Sequence, residues 1–209
     1  MSYKTDTFEK ELSFIRNEKI KEFATKAIKL LPDYFFEIPA SSSSKYHSQY
    51  AQGKGGLTRH VKAAVRTAVE LLNLKMFKFT EDEKDLIITS LILHDGAKSG
   101  LPKQEFSVST HPLIMTEYLK SSEELKDIIS DRYFSLIVTG VNHHMGEFVF
   151  DYKTKKQVLE MPDTKFENFI FMCDYISSRK LFEVNFDAEV IRKLPQNNPW
   201  QNRQSVVQL

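Results

Sequence analysis

The chain has 209 residues, of which 41% are hydrophobic and 27% are charged. This length and composition predict one folded domain over 1–209 and exclude a disordered chain. Because 29 basic residues are balanced by 28 acidic ones, there is no general positive charge to attract nucleic acid or membrane, so any anion site must be local. The single cysteine, Cys173, excludes an internal disulfide framework, and we expect a cytoplasmic protein with no membrane partner.

Apolar residues recur at helical spacing along most of the chain, and only 7 Gly and 7 Pro interrupt it. The pattern predicts an all-α fold that begins with an N-terminal helix over 5–31 and a second helix over 57–74. Thr80 and Glu83 form a capping-box pattern that opens the next helix. That helix is apolar on all sides over 86–93, so we expect it at the centre of the protein.

The second half of the chain predicts shorter elements. Helical spacing favours helices over 111–119, 123–129 and 132–144. The segment 147–161 breaks this rhythm and predicts a small β-hairpin or an extended flap. A second capping box, at Thr164 and Glu167, predicts a helix that runs to about Phe182, and 186–209 is expected to be a C-terminal tail.

Two of the apolar helices carry side chains that are costly to bury. His94 and Asp95 end the most hydrophobic helix, and Asp174 lies among apolar residues in FIFMCDYISSR. Burying such groups is unfavourable unless a positive charge compensates them, and a divalent metal ion is the simplest compensation. Imidazole nitrogens together with carboxylate oxygens suit Mn, Fe, Ni, Mg or Zn.

The residues with this chemistry fall in five motifs. In chain order they are GGLTRH (55–60), LILHDGAK (91–98), His111, NHH (142–144) and CDYISSR (173–179). The ordered set resembles the HD-domain superfamily of metal-dependent phosphohydrolases over a core of about 45–182. The loop PASSSSKYHSQYAQGKGGLTRH is similar to a pattern in the HD domains of bacterial 3′→5′ exoribonucleases and of relaxase-associated proteins. Those groups usually have a His-His pair where this chain has Tyr46-His47, and a shorter spacer before the glycines.

The resemblance implies an HD-domain helical bundle that binds two divalent ions. The implied ligands of the first ion are His60, His94, Asp95 and Asp174. For the second ion they are His111, His143 and His144, with Asp95 bridging the two. Asp95 and Lys98 are the implied catalytic residues. Lys98 would contact a substrate phosphate oxygen. His47 and Arg179 are implied to contact the phosphate or to support the ligands.

The chemistry of these residue types agrees with that family. Two ions about 3.5–4 Å apart can hold an attacking hydroxide and a phosphate oxygen at once. We therefore expect a two-metal phosphodiesterase that acts on nucleic acid or nucleotides. Two alternatives stay open: a one-metal nucleotide phosphohydrolase of the 5′-nucleotidase or dNTPase type, and a catalytically inactive HD module with a regulatory or binding role. The sequence leaves the oligomeric state open.

Two further features bear on the site. His143 and His144 would point about 100° apart on a helix, so one of them can be a ligand while the other contacts substrate. The segment 147–161 combines lysines with aromatic rings, a mixture that suits a nucleotide chain; these residues are Lys153, Lys155, Lys156, Phe148, Phe150 and Tyr152. The alternative for this segment is a solvated hairpin.

Overall fold

The computed structural model describes residues 2–41 and 47–180, and within these ranges the backbone forms α-helices and no strand. The helices are α1 (Tyr3–Thr7), α2 (Glu9–Ser13), α3 (Glu18–Leu30), α4 (Gly56–Leu72), α5 (Glu81–Leu93), α6 (His111–Ser121), α7 (Asp131–Asn142) and α8 (Lys165–Ser177). Short 3-10 turns occur at Asp33–Phe36, Gln49–Ala51 and Glu123–Leu125. The prediction of an all-α fold is confirmed. The predicted tail 186–209 lies outside the described residues.

Helix α5 occupies the centre of the bundle. It begins at the predicted capping box, in which the Thr80 hydroxyl accepts from the Glu83 N–H and the Glu83 carboxylate accepts from the Thr80 N–H. All residues from Leu86 to Leu93 are buried, and α5 packs against α3, α4, α7 and α8. The part of α5 from Leu86 onwards has no solvent face, so the side chains that follow it, His94 and Asp95, are also held inside the protein.

The prediction of one helix over 5–31 is wrong, because the chain there forms three helices. The backbone N–H groups of Arg16 and Asn17, which lie between α2 and α3, donate to Asp85 Oδ2 at 3.0 and 2.7 Å. The Asn17 side chain then caps α3 by accepting from the N–H groups of Lys19 and Ile20. A continuous helix would have used those N–H groups internally, so the break supplies hydrogen bonds to a buried carboxylate.

The other differences also have local causes. The helix expected over 123–129 is only a 3-10 turn, because Lys126 is extended and Asp127 has a φ of 57°. The segment 147–161 forms one antiparallel bridge, between Phe150 and Gln157, rather than a hairpin of strands. There the Asp151 carboxylate closes the turn by accepting from the backbone N–H groups of Lys153 and Thr154. The capping box at Thr164 is present, but α8 ends at Ser177, before the expected end at Phe182, which lies outside the described residues.

In the part of the chain that the structure describes, no helix combines the length and the hydropathy that a membrane span requires. The longest described helix, α4, runs only from Gly56 to Leu72 and presents polar residues between its buried ones.

Candidate metal centre

Six side chains from the ends and middles of packed helices meet at one point in the interior. His60 lies in α4 and Asp174 in α8, while His94 and Asp95 directly follow α5. His111 opens α6, and His144 comes two residues after the end of α7. We call these six residues the donor cluster; they are His60, His94, Asp95, His111, His144 and Asp174. The four histidines and Asp95 are buried, and the Asp174 side chain is largely buried.

The two oxygens of Asp95 face different pairs of histidines. Oδ2 lies 3.8 Å from His60 Nε2 and 3.6 Å from His94 Nε2. Oδ1 lies 2.9 Å from His111 Nε2 and 3.5 Å from His144 Nε2. One carboxylate therefore has a histidine pair on each side, which is the arrangement that a bridging ligand needs.

Asp174 completes the side of the cluster that contains His60. Its Oδ1 is 2.9 Å from His60 Nε2 and 3.5 Å from His94 Nε2. Two ligands of one ion, each about 2.0–2.2 Å from it, cannot be more than about 4.4 Å apart. The two Asp174 distances meet this limit, and the ligand atoms of His60, His94 and Asp174 all lie within 4.8 Å of one another. His94, Asp95 and His144 form a second such group.

The hydrogen bonds of the histidines fix which ring nitrogen faces the centre. Nδ1 of His94, His111 and His144 lies 2.7–2.8 Å from the backbone carbonyl three residues earlier, so each Nδ1 must carry the proton. The Ser177 hydroxyl donates to the Asp174 carbonyl and can accept from His60 Nδ1, 3.4 Å away. In the neutral rings, Nε2 then faces the centre with its lone pair, as it does in metal-binding histidines.

Lone pairs that face carboxylate oxygens repel them unless a cation or a proton lies between. His94 Nε2 shows this most clearly, because it is buried and has no hydrogen-bond partner among the described residues. The types of donor atom, imidazole nitrogen and carboxylate oxygen, fit a divalent transition ion. These buried His and Asp groups could hold a metal ion.

The charges of the cluster support the same conclusion. Burial lowers the pKa of His111 to about 4, despite the attraction of Asp95, and it also lowers the pKa of His144. Both rings are thus neutral at neutral pH and able to bind a metal. At His94, burial opposes protonation, but Asp95 and Asp174 outweigh it and raise the pKa. The carboxylates therefore draw positive charge towards His94 Nε2.

Lys98 is the only fixed cation that the structure shows in contact with the donor cluster in the described residues. Its Nζ donates to both oxygens of Asp95, at 2.9 and 3.0 Å. Burial alone would raise the pKa of Asp95, but Lys98 and the imidazoles hold it well below its usual range. One lysine leaves the two carboxylates, Asp95 and Asp174, with one negative charge still to be balanced.

The predicted substrate contacts lie at the edge of the cluster. The His47 ring meets the His60 ring edge-on, with 5.2 Å between centroids, and burial lowers its pKa to about 4. The Arg179 guanidinium lies over the Tyr175 ring, 4.0 Å from its centroid. The structure thus brings His47 to the donor cluster and places Arg179 beside the residue that follows Asp174.

The structure does not bring His143 to the donor cluster. Its Nδ1 lies 3.2 Å from Glu167 Oε2 and its Nε2 lies 3.7 Å from Glu160 Oε2. His143 caps α7, and His144 points inward from the next position. The expectation of His143 as a metal ligand is therefore corrected: adjacent residues at a helix end point in different directions, and only His144 faces Asp95.

Sequence reasoning missed two residues that shape the site. The Ser177 hydroxyl contacts His60 Nδ1, as described above. Ser177 lies three residues after Asp174 in α8, a spacing that places both residues on one face of the helix. Tyr175 carries Arg179 on its ring. Helical spacing from Asp174 could have indicated Ser177, but nothing in the sequence signals the ring contact.

No protein-family model matches the chain, and searches of curated proteins and of solved structures find no match. The structure by itself establishes a helical protein with buried His and Asp groups able to hold a metal ion.

Proposed function

We propose that this chain is a metal-dependent phosphohydrolase of the HD-domain type, most simply a two-metal phosphodiesterase acting on nucleic acid or nucleotides. The observation that carries the proposal is the position of Asp95, whose two oxygens face two histidine pairs. A site for a single ion needs one oxygen of such a carboxylate. Two separate sets of imidazoles on its two sides suit a pair of ions.

The residues divide naturally between two ions. His60, His94, Asp174 and Asp95 Oδ2 would hold the first. His111, His144 and Asp95 Oδ1 would hold the second. When bound, such ions lower the pKa of a water molecule and polarise a phosphate. Because His143 faces Glu167 instead, the second set has one fewer imidazole than the motif order implies, which leaves more of the coordination sphere for water and substrate.

Lys98 has the position of a group that stabilises the phosphate. Its ammonium is already beside Asp95, and its side chain is 16% exposed, so it can reach a ligand at the cluster. A cation there would donate to phosphate oxygens as negative charge develops on them. His47, neutral at neutral pH because of burial, lies on the His60 side of the same space and can donate or accept one hydrogen bond.

A second candidate is a one-metal nucleotide phosphohydrolase. It is favoured by the contact of Lys98 with both oxygens of Asp95, including Oδ1, the oxygen that would serve the second ion. If Lys98 keeps that position during turnover, the lysine replaces the second ion as the source of positive charge. His111 and His144 would then contact the substrate.

The test combines metal analysis with an activity panel. The protein is saturated with Mn²⁺, desalted, and analysed for ions per chain by inductively coupled plasma mass spectrometry. It is then assayed on a chromogenic phosphodiester, cyclic dinucleotides, short single-stranded RNA and DNA, and nucleoside monophosphates. Two ions with diesterase activity support the main proposal, whereas one ion with monophosphatase activity supports the second. No bound metal and no hydrolysis would indicate a binding or regulatory module and contradict both.

His143→Ala is the matched control for this experiment. It removes an imidazole directly beside His144 but outside the donor cluster. It should keep the ion count of the unchanged chain, whereas His144→Ala should lower it.

A further inference from the structure

An exposed pair of aromatic rings with a guanidinium is formed by residues close in sequence to members of the donor cluster. The rings of Phe148 and Tyr175 are parallel within 8°, with 6.3 Å between centroids, a normal offset-stacking distance. The Arg179 carbon Cζ is 4.0 Å from the Tyr175 centroid and 5.9 Å from that of Phe148. We call Phe148, Tyr175 and Arg179 the stacking platform.

The platform is joined to the donor cluster through short stretches of chain. Tyr175 follows Asp174 directly in α8, and Phe148 comes four residues after His144. Between His144 and Phe148 the chain turns at Gly146, which has a φ of +61°. A Cβ at Gly146 would lie 2.2 Å from the Phe171 ring, so only glycine lets the chain pass this closely. After this turn the Phe148 ring stacks on the Tyr175 ring.

Both rings remain open to solvent. Phe148 is 49% exposed and Tyr175 is 38% exposed. Burying large aromatic faces is favourable, and leaving two of them together at the surface forgoes that stabilisation. The backbone around Arg179 is anchored as well, because its carbonyl accepts from the Ser48 hydroxyl at 3.0 Å. A fixed, exposed aromatic pair with a cation on it has the composition of a site that binds flat, electron-rich rings.

We propose that the stacking platform binds a nucleobase adjacent to the phosphate that the donor cluster hydrolyses, so that the substrate is a base-bearing phosphodiester. This inference rests on the proposed function for the phosphate. An aromatic ring gives contact with any base, so the preference is for the presence of a base and not for its sequence. Arg179 adds a cation next to the rings, suited to the phosphate on the far side of the same nucleoside.

The first test compares two substrates that differ only in the base. They are thymidine 5′-(4-nitrophenyl) phosphate and its abasic deoxyribose analogue, which release the same nitrophenolate. The unchanged protein with Mn²⁺ should have a kcat/KM roughly tenfold or more higher on the thymidine compound, because stacking on one ring changes binding by about that factor. Equal kcat/KM on both compounds would overturn the proposal.

Variants separate stacking from a structural role. Tyr175→Ala and Phe148→Ala should each lose most of the base preference, chiefly through KM, and Tyr175→Phe should retain it. The control is Tyr3→Ala in α1, where the ring is 56% exposed and lies outside the segment 147–161. It should keep the preference. If the alanine variants lose activity equally on both compounds, the rings only support the fold and the proposal is wrong.

A binding measurement keeps the inference testable without turnover. The affinities of thymidine 5′-monophosphate and 2-deoxyribose 5-phosphate are measured by calorimetry on the Mn²⁺-loaded protein and on Tyr175→Ala. Tighter binding of the nucleotide, lost in the variant, supports the platform even if no phosphodiester is hydrolysed, in which case the proposed function alone fails. Equal affinities overturn the platform whatever the activity. Repeating the measurement with a dinucleotide and an eight-nucleotide strand distinguishes a free nucleotide from a single strand as the source of the base.

Discussion

Two buried carboxylate sites in this protein are neutralised in different ways. Glu11, in α2, is fully buried, and both of its oxygens meet fixed cations: Lys62 Nζ at 2.8 Å and Arg66 Nε at 3.2 Å. Asp95 and Asp174 are two carboxylates at one place, and Lys98 is the one fixed cation that the structure shows at them in the described residues. The remaining contacts of the pair are imidazole nitrogens.

The difference indicates what each site is for. Around Glu11 two fixed cations, Lys62 and Arg66, more than neutralise the one carboxylate. Its burial therefore joins α2 to α4 without requiring a further cation. At the donor cluster the balance requires a proton or a metal ion, and four Nε2 atoms face the two oxygens of Asp95. In a structural ion pair the side chains neutralise the carboxylate themselves, whereas a binding site keeps a negative charge that a ligand neutralises.

The largest expected effect is that of Asp95→Asn. Because each oxygen of Asp95 faces its own histidine pair, the amide should cost both ions and lower hydrolysis by at least about 10³-fold. Ions per chain and initial rates with Mn²⁺ measure this. Asp131→Asn, at an exposed position, is the control for the loss of one negative charge. A folded Asp95→Asn protein with near-normal activity would show that the donor cluster is not the active site.

His111→Ala and His144→Ala should each remove about one ion per chain. Both face Asp95 Oδ1, so the first set of ligands stays intact, and turnover should fall by roughly 10²-fold. His143→Ala should leave the ion count unchanged. Unchanged stoichiometry in both His111→Ala and His144→Ala would support the one-metal candidate.

Adding Mn²⁺ should stabilise the unchanged protein against thermal unfolding. At a free concentration 100 times the Kd the gain is about 2.7 kcal/mol for one site. Asp95 and Asp174 raise the pKa of His94 despite its burial. Protons therefore compete with the ion for this ring, and the stabilisation should grow as pH rises from 6 to 8. Melting temperatures with Mn²⁺ and with chelator at each pH test this; a gain that shrinks with rising pH would contradict it.

Glu11→Gln tests the other carboxylate site, where we expect a loss of stability and no loss of metal. It should lower the free energy of unfolding by about 1–3 kcal/mol. This is less than the loss expected for a fully buried ion pair, because the side chains of Lys62 and Arg66 are 23% and 50% exposed and can be solvated. Denaturant unfolding measures the loss. Its ion count and its gain in stability with Mn²⁺ should be those of the unchanged chain. A loss of metal in this variant would mean that the two carboxylate sites are not independent.

The smallest expected effect concerns the lysines of the segment 147–161. Replacing Lys153, Lys155 and Lys156 with alanine should weaken use of an oligonucleotide by a few-fold and flatten its salt dependence. Hydrolysis of the small chromogenic diester should stay nearly unchanged, because these side chains are exposed. Equal loss on both substrates would indicate structural damage, and no loss on either would exclude a role of these lysines in binding nucleic acid.

Much of the fold could be predicted from local pattern. The capping boxes at Thr80 and Thr164, and the buried character of the helix over 86–93, are read directly from residue order, because caps and helical periodicity depend on near neighbours. The break at Arg16 could not be predicted in this way. It exists because backbone N–H groups there hydrogen-bond to Asp85, a residue 69 positions away.

The sequence by itself determined that His94, Asp95 and Asp174 would be buried among apolar side chains and would need positive charge, since burial follows from helical pattern and desolvation from burial. Only the tertiary structure decided that the two oxygens of Asp95 face separate histidine pairs and that His144 rather than His143 joins them. It also decided that Phe148 would stack on Tyr175. The direction of a lone pair or of a ring depends on how helices distant in sequence pack, and no local pattern records that.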